Sequence, residues 1–213
     1  MTKASWSNLR KWYREHGRHW LPWRCRREPW AILLAETLLH RTNARQVEEV
    51  YPNVLSTFSE PAVVLRRRKT WTRMSHSLGL AWRSKLFLNT CKLLVEQHGG
   101  NVPAERKLLS TLPGVGHYTV AAIRCFGFGY GETLVDTNTI RLAARISGEY
   151  SKPANHRSSK VVRLVSRIGE NGRPGRPDDN YALLDLAAQV CQPKRPLCNI
   201  CPIVSDCTTG RVI

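Results

Sequence analysis

The sequence predicts an all-α protein, on three observations. Apolar residues recur at helical spacing through most of the chain, few stretches alternate with a period of two, and the runs end at cap residues and glycine stops. The first strong run is "WAILLAETLLHRT" (30–42), almost wholly apolar over its first ten residues apart from Glu36. "NARQVEEVYPNVLSTF" carries Val47, Val50, Val54 and Phe58 on one helical stripe. "RSKLFLNTCKLLVEQHGG" closes on Gly-Gly, and "ERKLLSTL" and "YTVAAIRCF" flank the short turn "PGVGH". "NTIRLAARISG" runs from a cap at Asn138 to a stop at Gly148. "YALLDLAAQVC" is a further apolar helix, preceded by a Gly-, Pro- and Asp-rich linker, "NGRPGRPDDN" (171–180).

The chain has 213 residues, enough for one domain or two small ones. No apolar run approaches the roughly 20 residues of a membrane span, and the first residues lack the apolar region of a secretory signal. A soluble, intracellular protein with no membrane partner is expected, in the cytoplasm or nucleoid if the source is prokaryotic. The formal charge is +17, from 33 Lys and Arg against 16 Asp and Glu. Such an excess favours polyanions, nucleic acid first, although a basic surface can also serve solubility alone. The excess is concentrated. Between Pro61 and Lys92 no acid occurs, while Arg66, Arg67, Arg68, Lys69, Arg73, Arg83, Lys85 and Lys92 are basic. Such a segment can release counterions from a phosphate backbone.

Four of seven cysteines lie in "CQPKRPLCNICPIVSDC". Cys191, Cys198, Cys201 and Cys207 have six, two and five residues between them. In an intracellular chain this clustering suggests a metal, and thiolates suit zinc or an iron–sulfur cluster equally. Cys25, Cys91 and Cys125 are scattered and read as small core residues. In "LSTLPGVGHYTVAAIRCF", Gly114 and Gly116 permit positive φ and close backbone approach, and the helix after them points its amides at an anion. Without other support the same pattern merely closes an αα-hairpin. Twenty residues after Gly116 comes Asp136, in "LVDTNTIRLAAR", where an acid ordinarily caps a helix. Glu36 is harder to place. Leu33, Leu34, Ala35, Thr37 and Leu38 crowd it, and an unpaired carboxylate in an apolar core is costly.

Taken together, the "LPGVG" hairpin, the following aspartate and the four cysteines resemble the helix–hairpin–helix DNA glycosylases, over nearly the whole chain from "LPWR" (21–24) to Cys207. The cysteine spacing is similar to the 4Fe–4S loop of the endonuclease III and adenine–DNA glycosylase branches, and that loop presents Lys194 and Arg195 to DNA. The resemblance implies a six-helix barrel domain over 24–134 and a second helical domain formed by 1–23 and 135–213. In that fold the N-terminal helix packs with the cluster module and the DNA cleft lies between the domains. It implies double-stranded DNA with a mismatched or damaged base as partner, and a monomer.

By the same resemblance, Asp136 stabilises the oxocarbenium-like sugar and Glu36 protonates or hydrogen-bonds the departing base. Partial desolvation would raise the pKa of such a donor, so Glu36 is expected to line a cleft. Lyase-competent relatives carry lysine two residues after the last hairpin glycine. Here that residue is Tyr118, so little strand cleavage is expected, whether Tyr118 faces the pocket or only packs. Arg24 resembles a position near the pocket or a phosphate-contacting surface arginine. His117 stands beside the hairpin phosphate.

"ETLLHRT" resembles T·G mismatch enzymes at Arg41, whereas His40 matches no branch and has a surface reading too. Both are expected near the flipped base or its estranged guanine. "SLGLAWRSK" and "DTN" depart from the adenine branch, and with six residues after Cys207 its reader domain for oxidised guanine is not expected. Thymine or uracil opposite guanine is therefore the expected substrate. The alternatives are an adenine glycosylase acting opposite oxidised guanine or guanine, and a non-catalytic iron–sulfur DNA-binding protein.

Overall fold

The computed structural model describes residues 1–40, 42–149, 159–169 and 176–212. All regular structure among them is helical, and none of these helices is long and apolar enough to cross a membrane. The chain forms two compact units, a central one, His19–Phe128, and a terminal one that joins Met1–Arg18 to Gly129–Ile213.

The central unit holds α2 (Pro29–Leu39), α3 (Ala44–Thr57), α4 (Pro61–Arg66), α5 (Arg68–Ser77), α6 (Ala81–His98), α7 (Arg106–Thr111) and α8 (His117–Ala122). α8 widens into a π turn over Ile123–Gly127. α2 starts with proline in its first turn, where the missing N–H costs nothing. α6 stops at Gly99, whose φ of 58° is left-handed. An aromatic ladder fills the core. Trp30 stacks on Phe87 at 5.7 Å, Phe87 meets Trp71 at 4.5 Å, and Trp71 meets Phe58 edge-on at 5.4 Å. Two polar handles beside it are satisfied, whereas the buried Trp71 indole N–H finds no acceptor among the described residues. The Trp30 indole donates to the Phe58 carbonyl at 2.8 Å, and the Tyr51 hydroxyl donates to Ala31 at 3.0 Å. Gly127 packs against the first turn of α2 so closely that a Cβ there would lie 2.9 Å from Pro29 Cα.

The terminal unit holds α1 (Lys3–His16), α9 (Thr137–Ser147), α10 (Ser159–Gly169) and α11 (Pro177–Gln189), then two short 3₁₀ turns in the cysteine segment. α1 buries Trp6, Leu9 and Tyr13 along one face. Two ion pairs tie α1 and the segment just after it to α11. Arg10 donates twice to the Asp179 carboxylate at 2.8 Å, and Arg18 donates to Asp185 from its backbone N–H at 2.8 Å and from Nε at 2.7 Å. Hydrogen bonding to Asp179 raises the pKa of the Arg10 guanidinium.

Four expectations change. The cap of α9 is Asp136, two residues before Asn138, because the Asp136 side chain accepts the free amides of the first turn. Residues 171–175 of the expected linker lie outside the described residues, but Pro177–Asn180 are the first turn of α11. Pro177 and the acids Asp178 and Asp179 suit a helix N-terminus. Cys91 and Cys125 are buried, whereas Cys25 is exposed in the turn before α2 and donates to the Pro22 carbonyl at 3.2 Å. The unit boundaries fall at 18/19 and 128/129 rather than 23/24 and 134/135. Leu21 and Trp23 are buried in the central unit, Trp23 against Tyr51, while Glu132 accepts from Asn180 in the terminal unit.

Candidate active site and cysteine-lined cavity

α2 buries Ala31, Ile32, Leu33, Leu34, Ala35 and Leu38, which leaves Glu36 and Thr37 half-buried on its remaining face. That face opens on a cleft with about 450 Å³ of space not filled by protein atoms, open solvent included. Leu33, Glu36 and Thr37 form one wall, and Trp82, Arg83, Leu86, Phe87 and Thr90 of α6 form a second. The hairpin closes it through Pro113, Gly114, Val115 and, on α8, Thr119. The Glu36 carboxylate thus belongs to a cavity wall and not to the apolar core. The Thr37 hydroxyl is turned back onto the Leu33 carbonyl at 2.8 Å.

The hairpin is fixed to α6 by Thr90, whose hydroxyl donates to the Pro113 carbonyl at 2.6 Å. Only one hairpin glycine uses a conformation reserved for glycine. Gly114 has φ 78°, whereas Gly116 is extended at φ −87° and caps α8. Gly114→Ala is expected to cost about 1–2 kcal/mol in denaturant unfolding, and Gly116→Ala, with open space around its Cβ, well under about 1 kcal/mol. Equal losses would show that the turn is not held as described. His117 is exposed and Tyr118 half-buried on the first turn of α8, and the cavity wall there is made by the next residue, Thr119.

At the cavity rim, His40, the exposed residue that ends α2, meets Trp82 edge-on at 6.0 Å. Trp82 is 53% exposed although it lines the cavity, and the Arg83 guanidinium lies over its ring at 4.6 Å. The sequence singles out Arg83 only as part of the basic segment and does not single out Trp82. The only available hint was an aromatic residue inside the acid-free basic segment. Arg24 is buried, which removes its reading as a surface arginine. Arg41 lies outside the described residues.

Asp136 stands in the terminal unit, half-buried at the start of α9. Its Oδ1 accepts the backbone N–H groups of Asn138 at 3.0 Å and Thr139 at 2.7 Å, and the Thr139 hydroxyl accepts the Asp136 N–H at 2.9 Å. Oδ2 accepts from the Asn138 side-chain amide at 2.9 Å. Oδ1 thus holds two donors, and Oδ2, with one, has room for a second donor or a cation. The chain of contacts continues. Asn138 Oδ1 accepts from Arg141 at 3.1 Å, and Arg141 also donates to the carbonyls of Cys191 at 3.0 Å and Ala187 at 2.8 Å. Burial lowers the pKa of the Arg141 guanidinium. One turn on, Arg145 donates to Cys191 Sγ at 3.3 Å and to the carbonyls of Gln192 and Pro193 at 2.7 and 2.8 Å. A hydrogen-bonded path therefore runs from Asp136 to the first cysteine of the C-terminal segment.

Cys191, Cys198, Cys201 and Cys207 all line a second cavity, walled otherwise by apolar side chains such as Leu142, Ile146, Val190 and Ile203. Burial pushes the Cys201 thiol up to about 11 and raises Cys198 as well, and in both the other thiols of the cavity add to the shift. The Gly210 N–H donates to Cys207 Sγ at 3.3 Å. Among the described residues, no three His, Cys, Asp or Glu side chains converge as ligands of a single ion. The donor set is thus four sulfurs spread around an apolar hollow, with Arg145 and a backbone amide directed at two of them. Lys194 and Arg195 are exposed on the loop between Cys191 and Cys198.

No family model matches the chain. The chain is 35% identical to a thymine-DNA glycosylase of Aeropyrum pernix over 202 residues, 93% of this chain and 91% of that protein. It is 32% identical to a thymine/uracil-DNA glycosylase of Pyrobaculum aerophilum, over 92% of this chain and 86% of that one. An adenine DNA glycosylase of Mycobacterium tuberculosis is also 32% identical, over 92% of this chain but 65% of its own length. Among solved structures, a thermostable thymine-DNA glycosylase superposes with a TM-score of 0.88 at 28% identity, covering 97% of this chain and 95% of that one. The all-helical architecture, the glycine hairpin beside an acid-bearing cavity and these relatives agree: the chain belongs to the helix–hairpin–helix DNA glycosylases and is a DNA N-glycosylase.

Proposed function

We propose that this glycosylase removes thymine or uracil mispaired with guanine in double-stranded DNA, with little or no strand cleavage. The observation that carries the reading is the Glu36 carboxylate in the wall of a cavity closed by the hairpin. A base flipped from the duplex enters that cavity, at a cost of a few kcal/mol that a mismatch reduces. Glu36 donates a proton or hydrogen bond to the leaving base as the C1′–N bond breaks and its electron pair departs with the base. Asp136 stabilises the positive charge left on the sugar, and water adds at C1′ and releases its proton. Gly114, Gly116 and His117 contact the phosphate backbone. In this reading His40 and Arg41 serve the vacated space or the estranged guanine, and Arg24 serves the neighbourhood of the pocket. Tyr118 shapes the pocket and offers no amine for a Schiff base.

Cys191, Cys198, Cys201 and Cys207 hold a 4Fe–4S cluster in this reading. Four sulfurs around an apolar hollow suit a polynuclear group better than one zinc ion, which draws its thiolates to within about 2.3 Å. The bound group cross-links the C-terminal loop, and with it the exposed Lys194 and Arg195 that meet DNA. Broad visible absorbance of the iron–sulfur charge-transfer type is expected from the purified protein, and a colourless protein with one zinc per chain would refute it.

The decisive experiment is a panel of duplexes with T·G, U·G, A·G and A opposite oxidised guanine, read by alkali-labile sites in each strand. Cleavage at T·G and U·G alone is expected. The match to an adenine glycosylase favours A·G or A opposite oxidised guanine as the second reading, and cleavage only there would replace the first. A protein inert on every duplex would favour a non-catalytic iron–sulfur DNA-binding role. Tyr118→Lys is expected to add some lyase activity. If borohydride traps no imine, the assignment of that position fails.

A further inference from the structure

α5 presents Arg68, Lys69, Thr72 and Arg73 to an open hollow of about 630 Å³, closed on one side by Leu88 of α6. Lys69 and Arg73 stand four residues apart, about 6 Å from each other along the axis, and Arg68 is the neighbour of Lys69. Among the described residues, Arg68, Lys69 and Arg73 make no ion pair, and the segment from Pro61 to Lys92 contains no acid to offer one. The hollow is separate from the Glu36 cavity. At about 100° per residue, Leu88 lies about 170° around α6 from the mean direction of the cavity residues Trp82, Arg83, Leu86, Phe87 and Thr90.

Arginine, lysine and threonine are the side chains that hold phosphate oxygens, and they position a nucleic acid without reading its bases. Charged side chains are depleted at the centre of protein–protein interfaces, whereas three of the five residues that line this hollow are cations. We propose that the α5 hollow binds the phosphate backbone of a second DNA segment, different from the one whose base occupies the Glu36 cavity. The protein would then bridge two duplexes. The inference rests on the reading of the chain as a DNA enzyme. Its test needs neither a lesion nor turnover, so it stands or falls separately from the choice of excised base.

Two short undamaged duplexes, one labelled with a donor dye and one with an acceptor, are mixed with the protein. Energy transfer between them is expected at about 50 mM salt and should fade towards about 200 mM, as counterion release requires. The variant R68Q/K69Q/R73Q, with thermal unfolding confirming the fold, is expected to lose transfer several-fold. The slope of log affinity against log salt for the second duplex should fall by about 2.7, close to 0.9 for each lost cation. The variant K3Q/K11Q/R14Q removes as many exposed charges from α1 and should keep the transfer. No transfer with the unaltered protein, undiminished transfer in the α5 variant, or equal loss in both variants overturns the proposal. An α5 variant that still bridges DNA but no longer binds polyglutamate also overturns it, and would assign the hollow to an acidic protein partner.

Discussion

Asp136→Asn is expected to leave the protein as stable as before and to slow base excision about 10²–10³-fold under single-turnover conditions. The separation follows because the proposed role of Asp136 in excision and its observed role as a cap depend on different properties. As the cap of α9 it needs an acceptor oxygen for the Asn138 and Thr139 amides, and asparagine caps as well as aspartate. As the group facing a developing sugar cation it needs a negative charge, which asparagine lacks. Asp136→Ala should lose both, adding a cap loss of about 1 kcal/mol to the same defect in rate. Thermal unfolding and excision from a T·G duplex distinguish the two variants. Full excision by Asp136→Asn would remove Asp136 from the chemistry and leave it a cap.

For Asp185→Ala the expected effect is on stability, a loss of about 3–5 kcal/mol. The Asp185 carboxylate is wholly buried, and both of its oxygens are used by Arg18, one by the backbone N–H and one by Nε. Truncation strands the Arg18 amide and part of its guanidinium without their acceptor. It also releases the end of α1 from α11. At about 2–4 °C per kcal/mol for a chain of this size, the midpoint should fall by about 6–20 °C. Asp185→Asn keeps an acceptor for the amide and should lose less. A loss under about 1 kcal/mol for the alanine variant would mean that solvent screens the pair in solution.

Local features of the fold are legible in the sequence where one helix carries its own evidence. α6 ends where Gly99 and Gly100 say it must, and α3 buries Val47, Val54 and Phe58 on the expected stripe, although Tyr51 is buried beside them and Val50 only partly. The hairpin and the crowded position of Glu36 are likewise local, one a turn and the other a polar residue in an apolar run. The contacts that escape are those made across long separations. Nothing around residue 141 announces that its guanidinium closes on carbonyls at 187 and 191 while holding Asn138. Trp82 looks like any aromatic until α2 and the hairpin are set beside it. Asn138 and Asp136 are both good caps for α9 by residue type, and only the direction of the Asp136 side chain decides between them.

The contact of Gly127 with Pro29 makes a gauge of the central unit. With no room between the π turn and the first turn of α2, the helix that carries Glu36 and the helix that follows the hairpin have little freedom to slide past each other. If the hairpin grips the strand as proposed, the strand is thereby held at a set height above Glu36. A base of the wrong reach would then fail by distance alone, before any hydrogen bond is tested.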